Sequence, residues 1–240
     1  MEQASQQKRN QSFYMFQKGL QVGFPILLGY IPVALTYGVL AAQSGMSIFE
    51  LTMMSALVYA GASQFMGANM IAAGATAVEI IVATFVLNFR HFVMSLSFMN
   101  EIRDRVSLKG RAGLALSLTD ETFAVSALHK EVAKEEKSVF FYAAIYLSAY
   151  LSWVFGSFLG GMLGEVIPEQ LSQSMGIALY AMFIGLLVPS VKKELRLGLI
   201  AIIAMFINVI SSQFVSSGWA IVFGTLLGGL AGVYLLKEKR

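Results

Sequence analysis

Charged residues divide this chain into long uncharged runs at positions 19–49, 51–78, 138–164, 170–191 and 197–236. A helix needs about 20 apolar residues to cross ~30 Å of hydrocarbon. Each run is therefore read as a membrane segment, and the last as two that turn near Ser211–Gln213 or Ser216–Gly218. Two further apolar segments carry charge. Residues 77–98 hold Glu79, Arg90 and His91, and residues 112–128 hold Asp120 and Glu121. The pattern predicts an all-α polytopic membrane protein with six to eight membrane segments. Its parts are a polar N-terminal segment 1–18, one transmembrane domain 19–236 and a C-terminal tail 237–240.

The basic residues sharpen that count. They cluster at Lys8, Arg9 and Lys18, at Arg103, Arg105, Lys109 and Arg111, at Lys130, Lys134 and Lys137, at Lys192, Lys193 and Arg196, and at Lys237, Lys239 and Arg240. The positive-inside rule assigns all of them to the cytoplasmic face. Eight simple crossings would place the 103–111 cluster outside. Six full spans, with segments 51–78 and 112–128 broken or re-entrant, bring every cluster inside and put both termini in the cytoplasm. A weak echo at an offset of 121 residues sets Tyr59-Ala60 on Tyr180-Ala181 and Ala83/Phe85 on Ala204/Phe206. It suggests two structural repeats, 19–129 and 138–236, of the sort that transporters use.

Composition narrows the function classes. The chain has 240 residues, 57% hydrophobic and 13% charged, with no Cys and two His, and its mean hydropathy is +0.69. Soluble domains carry roughly 25% charged residues. The net charge of +3 follows from cations retained on one membrane face, so no nucleic-acid partner is expected. No thiolate metal site exists, and Met66-x-x-x-Met70 lacks the Cys or His that would make it a copper site. No cofactor, metal or catalytic residue is expected. There is no Walker motif, no His-Glu-x-x-His and no Gly-x-Ser-x-Gly elbow. The polar N-terminus lacks the apolar core of a cleavable signal.

Three stretches put polar groups where lipid should exclude them. In 59–69, Gly61, Ala62, Ser63, Gln64, Phe65 and Asn69 sit mid-segment, and unwinding there would free backbone groups for an anionic ligand; close helix packing is the bland alternative. In 87–95, Asn88, His91 and Ser95 share one helical stripe while Arg90 projects about 100° away. Arg90 needs a partner, a water-filled cavity or a route to the headgroups, because an arginine at a helix centre costs ~3 kcal/mol or more. In 116–126, adjacent Asp120 and Glu121 rarely both ionise in low dielectric, which suits proton coupling. Thr119 or Asp120 capping a helix is the structural reading. We expect Arg90 to pair with Asp120 or Glu121, and Phe65, Phe85 and Val86 to receive an aliphatic side chain.

Together, Ala60-Gly-Ala-Ser-Gln-Phe65, Leu87-Asn-Phe-Arg-His-Phe-Val-Met-Ser95 and Thr119-Asp-Glu-Thr-Phe123, with Gly23-Phe-Pro25 and Tyr37-Gly38, resemble the AzlC family of bacterial branched-chain amino acid permeases. The resemblance covers nearly the whole chain. It implies a subunit of the bacterial inner membrane that exports Leu, Ile, Val and their analogues, working with a small AzlD-type membrane partner. Two rival readings are a passive small-solute channel, which ignores the proton gradient, and a scaffold for its partner, which tolerates Ala at Gln64, Arg90 and Asp120.

Overall fold

The computed structural model describes residues 2–104, 106–164, 166–167 and 177–236. The expected start of the fourth run at 170–176, Arg105 and the tail 237–240 lie outside them. The described residues form ten α-helices and one 3-10 turn: α1 (Glu2–Gln43), α2 (Ile48–Leu57), α3 (Gly61–Ala72), α4 (Ala77–Glu101), α5 (Leu108–Ala115), α6 (Asp120–Leu128), the turn Lys130–Lys134, α7 (Ser138–Leu163), α8 (Ile177–Lys193), α9 (Leu195–Ser211) and α10 (Ser217–Leu236). No strand occurs among them. Four helices are long and apolar enough to cross a membrane: Asn10–Gln43 of α1, α4, α7 and Gly218–Leu236 of α10. The N-terminal segment 1–18 is not separate from the first of these, since α1 runs on from Glu2 through Pro25 and Pro32.

The core is a parallel pair. Gly19 of α1 lies against Phe141 of α7, Gly38 against Ser157 and Gly160, and Gly164 against Ala42. A Cβ on Gly38 or Gly160 would strike the opposing backbone. Lipid tails are as apolar as leucine, so association here rests on such close approach of small residues, not on hydrophobic exclusion. Lys18 Nζ meets Glu135 Oε1 at 3.5 Å, just before α7 begins. Aromatic edges fill the inner seam, with Tyr37 on Phe65 at 5.6 Å and Phe98 on Tyr142 at 5.2 Å.

The two interrupted segments are helical hairpins that run in from opposite ends of the α1–α7 pair. Leu51 of α2 packs on Gly161, Ser55 bonds Ser157 and Tyr59 meets Tyr150, so α2 descends along α7 from its C-terminal end to mid-length. There α3 turns back: Gly67 returns beside Met54 and Ile80, and Met70 reaches Gly218. The other hairpin starts at the basic end. Arg111 Nη1 donates to the Met99 carbonyl at 3.2 Å, and Ser95 Oγ donates to the Ala115 carbonyl at 3.3 Å, which sets α5 antiparallel to α4. α6 then returns, with Ser126 and Tyr146 2.8 Å apart. The turns bearing 103–111, 130–137 and 192–196 share one end, because α10 runs parallel to α4 and Arg196 reaches its C-terminal Leu235 carbonyl.

The apolar run 197–236 folds as α9 and α10 around a turn at 212–216, which overlaps both of the expected turning points. The 121-residue echo pairs the break at Tyr59-Ala60 with the interior of α8 at Tyr180-Ala181, whereas Ala83/Phe85 and Ala204/Phe206 all lie within helices.

Candidate functional site

The first hairpin turns at Val58-Tyr59-Ala60, at the start of the expected stretch 59–69. Residues 61–69 are helical, which corrects the reading of this Gly-rich sequence as unwound. Its glycines serve contact instead. A Cβ on Gly61 would lie 2.7 Å from Trp153 Cη2, and one on Gly67 2.9 Å from Met54 Cε. The reversal is made by Tyr59, whose φ of 43° falls in the left-handed region. A bulky residue holds that conformation at a cost of about 1–3 kcal/mol, a strain common at functional sites.

The break leaves α3 with an open N-terminus. Ala60, at the N-cap position, makes no side-chain cap. The first intrahelical bond runs from Gln64 N–H to the Ala60 carbonyl at 2.9 Å, so the N–H groups of Gly61, Ala62 and Ser63 lie ahead of the helical ladder. Such an end carries roughly half a positive charge and is suited to an anion.

α6 begins at the same depth and is finished differently. Thr119 caps it in a capping box with Thr122. Asp120 and Glu121 occupy its first turn, and they part company there. Arg90 Nη2 lies 2.9 Å from Asp120 Oδ2. Tyr30 donates its hydroxyl to Glu121 Oε2 at 2.6 Å and sits 2.6 Å from Thr119 Oγ1. The partner of Arg90 is thus Asp120, and Thr119 capping coexists with the ion pair. Arg90 stands near the middle of the 25-residue α4, about 16 Å of helix from its basic end.

A central cavity collects these groups. Tyr30, Tyr59, Gly61, Ala62, Arg90, His91, Thr119, Asp120, Glu121 and Trp153 are among the residues that line it. Its open space is about 30 Å³, roughly the share of one water molecule. Two polar atoms at its wall, the Tyr59 hydroxyl and Arg90 Nε, are buried without a hydrogen-bond partner among the described residues. Buried polar groups are nearly always satisfied, so such exceptions call for a ligand or a strain account.

The other expected residues fall around this cavity. Ser63 donates to Asn88 Oδ1 at 2.5 Å, tying α3 to α4. Gln64 lies behind the site: Trp153 Nε1 donates to its Oε1 at 2.9 Å, its Nε2 donates to Ser55 Oγ at 2.8 Å, and Ser55 donates on to Ser157. Phe65 is 1% exposed against Tyr37, and Asn69 is exposed at the far end of α3. Phe85, 68% exposed and tilted against Phe89, faces outward, which corrects its expected place in a solute pocket. Arg90 reaches the cavity alongside His91, although their helical directions differ, because the guanidinium arm is long. Sequence reasoning missed Tyr30, Tyr59 and Trp153. The one visible signal was Tyr59 directly preceding the small-residue stretch.

A family model described as AzlC protein matches residues 25–167. The chain belongs to the AzlC family. The matched stretch contains both hairpins and every residue that lines the central cavity. An uncharacterized membrane protein of Archaeoglobus fulgidus is 42% identical over 112 residues, covering 47% of this chain and 48% of its own. Inner membrane protein YgaZ of Escherichia coli is 35% identical over 111 residues, 46% of this chain and 45% of its own. The branched-chain amino acid transport protein AzlC of Bacillus subtilis is 24% identical over 141 residues, 59% and 55% respectively. The chain spans about half the length of the curated relatives it matches. No solved structure matches.

Proposed function

We propose that this chain is the membrane subunit of a proton-coupled exporter of branched-chain amino acids, residing in a bacterial inner membrane and working with a small AzlD-type membrane partner. The observation that carries the reading is the pairing of two unlike helix ends in one cavity. The open N-terminus of α3 suits a carboxylate, and the acidic first turn of α6 suits an ammonium group. An α-amino acid carries both. The unpartnered Tyr59 hydroxyl adds a donor for the carboxylate. With Asp120 held by Arg90, Glu121 receives the ammonium by displacing the Tyr30 hydroxyl. A proton on either carboxylate weakens that hold, which couples release to the proton gradient. Membership of the AzlC family and the Bacillus subtilis relative's name support the substrate class. The basic turns at one end support a cytoplasmic location for that end.

Counterflow of labelled leucine into vesicles tests this, with and without the small partner and with an imposed pH gradient. Leucine exchange that quickens when the gradient favours export is the expected result. Exchange indifferent to the gradient makes the protein a passive channel, and no exchange in either preparation overturns the reading.

A further inference from the structure

The central cavity has open space for about one water molecule, so a head group enters only as the Tyr30 hydroxyl leaves Glu121, and a leucine side chain must go elsewhere. A second cavity of about 440 Å³ lies between α3, α4 and α10, within the roughly 300–1,000 Å³ range of small-molecule sites. Ala62 lines both cavities. From Ala62 the larger one follows α3 past Met66 and Met70, with Leu87 and Ile221 opposite, and reaches the non-basic end at Asn69 and Glu79. Its walls are mostly aliphatic or thioether groups, adaptable surfaces for branched chains. At the far end, among exposed residues, Ser216 donates to Glu79, a carboxylate already accepting from the Thr76 N–H and hydroxyl.

We infer that this cavity is the vestibule that takes the solute's aliphatic side chain and passes the solute to the non-basic face, with Ala62, Met66 and Leu87 setting which side chains fit. The inference rests on the amino acid reading above and extends it. Ala62 is the lining residue that the two cavities share, so the Cβ substituent of a zwitterion bound at Gly61 and Glu121 passes it to enter the larger one. The α6 side offers a smaller space of about 180 Å³, where Glu101 and Lys130 join Phe98, Phe123 and Ala127, and it shares no lining residue with the central cavity. α3 thus lines the vestibule at one end and α6 the space at the other, with the ion pair between them.

The chain contains no cysteine, so single thiols report cleanly. Met66→Cys and Leu87→Cys in the full chain are exposed to a charged, membrane-impermeant methanethiosulfonate, with outward Phe85→Cys as control. Both vestibule thiols are expected to react from the non-basic side, roughly tenfold more slowly at saturating leucine by mass action, while Phe85→Cys stays inert. Met66→Ala should shift the leucine-to-valine ratio of kcat/KM by about tenfold, a readout that general damage to the fold does not move. Vestibule thiols as inert as Phe85→Cys overturn the inference. So does equal labelling with and without leucine where the wild-type chain exchanges leucine. If the wild type exchanges none, the substrate reading fails by itself, and reagent access at Met66→Cys still decides whether the vestibule is water-filled.

Discussion

The two hairpins reach the same depth from opposite ends and present the same element there, a helix N-terminus, yet they are finished in opposite ways. α3 leaves its first N–H groups without a cap. α6 consumes its own with Thr119 and adds Asp120 and Glu121. Two bare helix ends facing each other would both attract anions. Capping and acidifying one of them turns the pair into a receptor for opposite charges. The supports differ as well. α3 rests on a buried ring of hydrogen bonds through Gln64, Trp153, Ser55 and Ser157. The second hairpin leaves Leu116 85% exposed and Leu128 75% exposed, and is held at its tip by Arg90 and Tyr30. One hairpin is anchored by a buried hydrogen-bond ring, and the other adds an ion pair at its tip to the bonds that Arg111, Ser95 and Ser126 make along its length.

Breaking that charge anchor should have the largest effect. Removing one partner of a fully buried ion pair costs about 3–5 kcal/mol. The side chains of Arg90 and Asp120 are 37% and 26% exposed, so we expect a smaller loss for Arg90→Gln, about 2 kcal/mol or roughly 30-fold in leucine exchange. Arg90→Gln with Asp120→Asn, which removes both charges, should recover part of it, as should the charge-swapped pair. Double variants no better than the singles would show that α6 does not depend on α4.

A second contrast separates the hairpins by packing. Gly61 lies against the Trp153 ring, whereas a Cβ on Gly113 of α5 meets nothing within 4 Å. Gly61→Ala should therefore lower thermal stability by about 1–2 kcal/mol through overpacking. Gly113→Ala should raise it by about 0.5–1 kcal/mol, the ordinary gain for alanine over glycine within a helix. Melting in detergent checks both. Equal effects at the two sites would mean that the first hairpin is no more tightly seated than the second.

The same contrast explains what could be read in advance. The hairpins were visible because charge placement is a topological constraint: the 103–111 and 130–137 clusters share a face only if the segments beside them turn back. Their tips were harder. Thr119-Asp120-Glu121 announces a capped helix start through residue chemistry, whereas α3 starts after a tyrosine in a glycine-like conformation, which no propensity marks. Glycine at 61 and 67 permits close packing and unwinding alike, so composition could not place the break within three residues. Phe85 and Phe65 show a further limit. Lipid is as apolar as a protein core, so outward and inward phenylalanines look alike in sequence. Tyr30 and Trp153 come from distant helices and carry no local signature.

The smallest predicted effect is the most discriminating, because it converts one helix end into the other. Ala60→Ser offers α3 the side-chain cap it lacks. An N-cap hydroxyl stabilises a helix by about 0.5–1 kcal/mol over alanine, so the melting temperature should rise modestly. The same hydroxyl occupies the N–H groups proposed to hold the substrate carboxylate, so KM for leucine should rise severalfold while the protein grows more stable. At the other end, Thr119→Val removes a cap whose donors face no substrate carboxylate. Stability should fall by about 1 kcal/mol, with KM changed less than by Ala60→Ser. A gain in stability that opposes binding is hard to produce by damage. If Ala60→Ser stabilises the chain and leaves KM untouched, the open end of α3 is a feature of the fold and the carboxylate binds elsewhere.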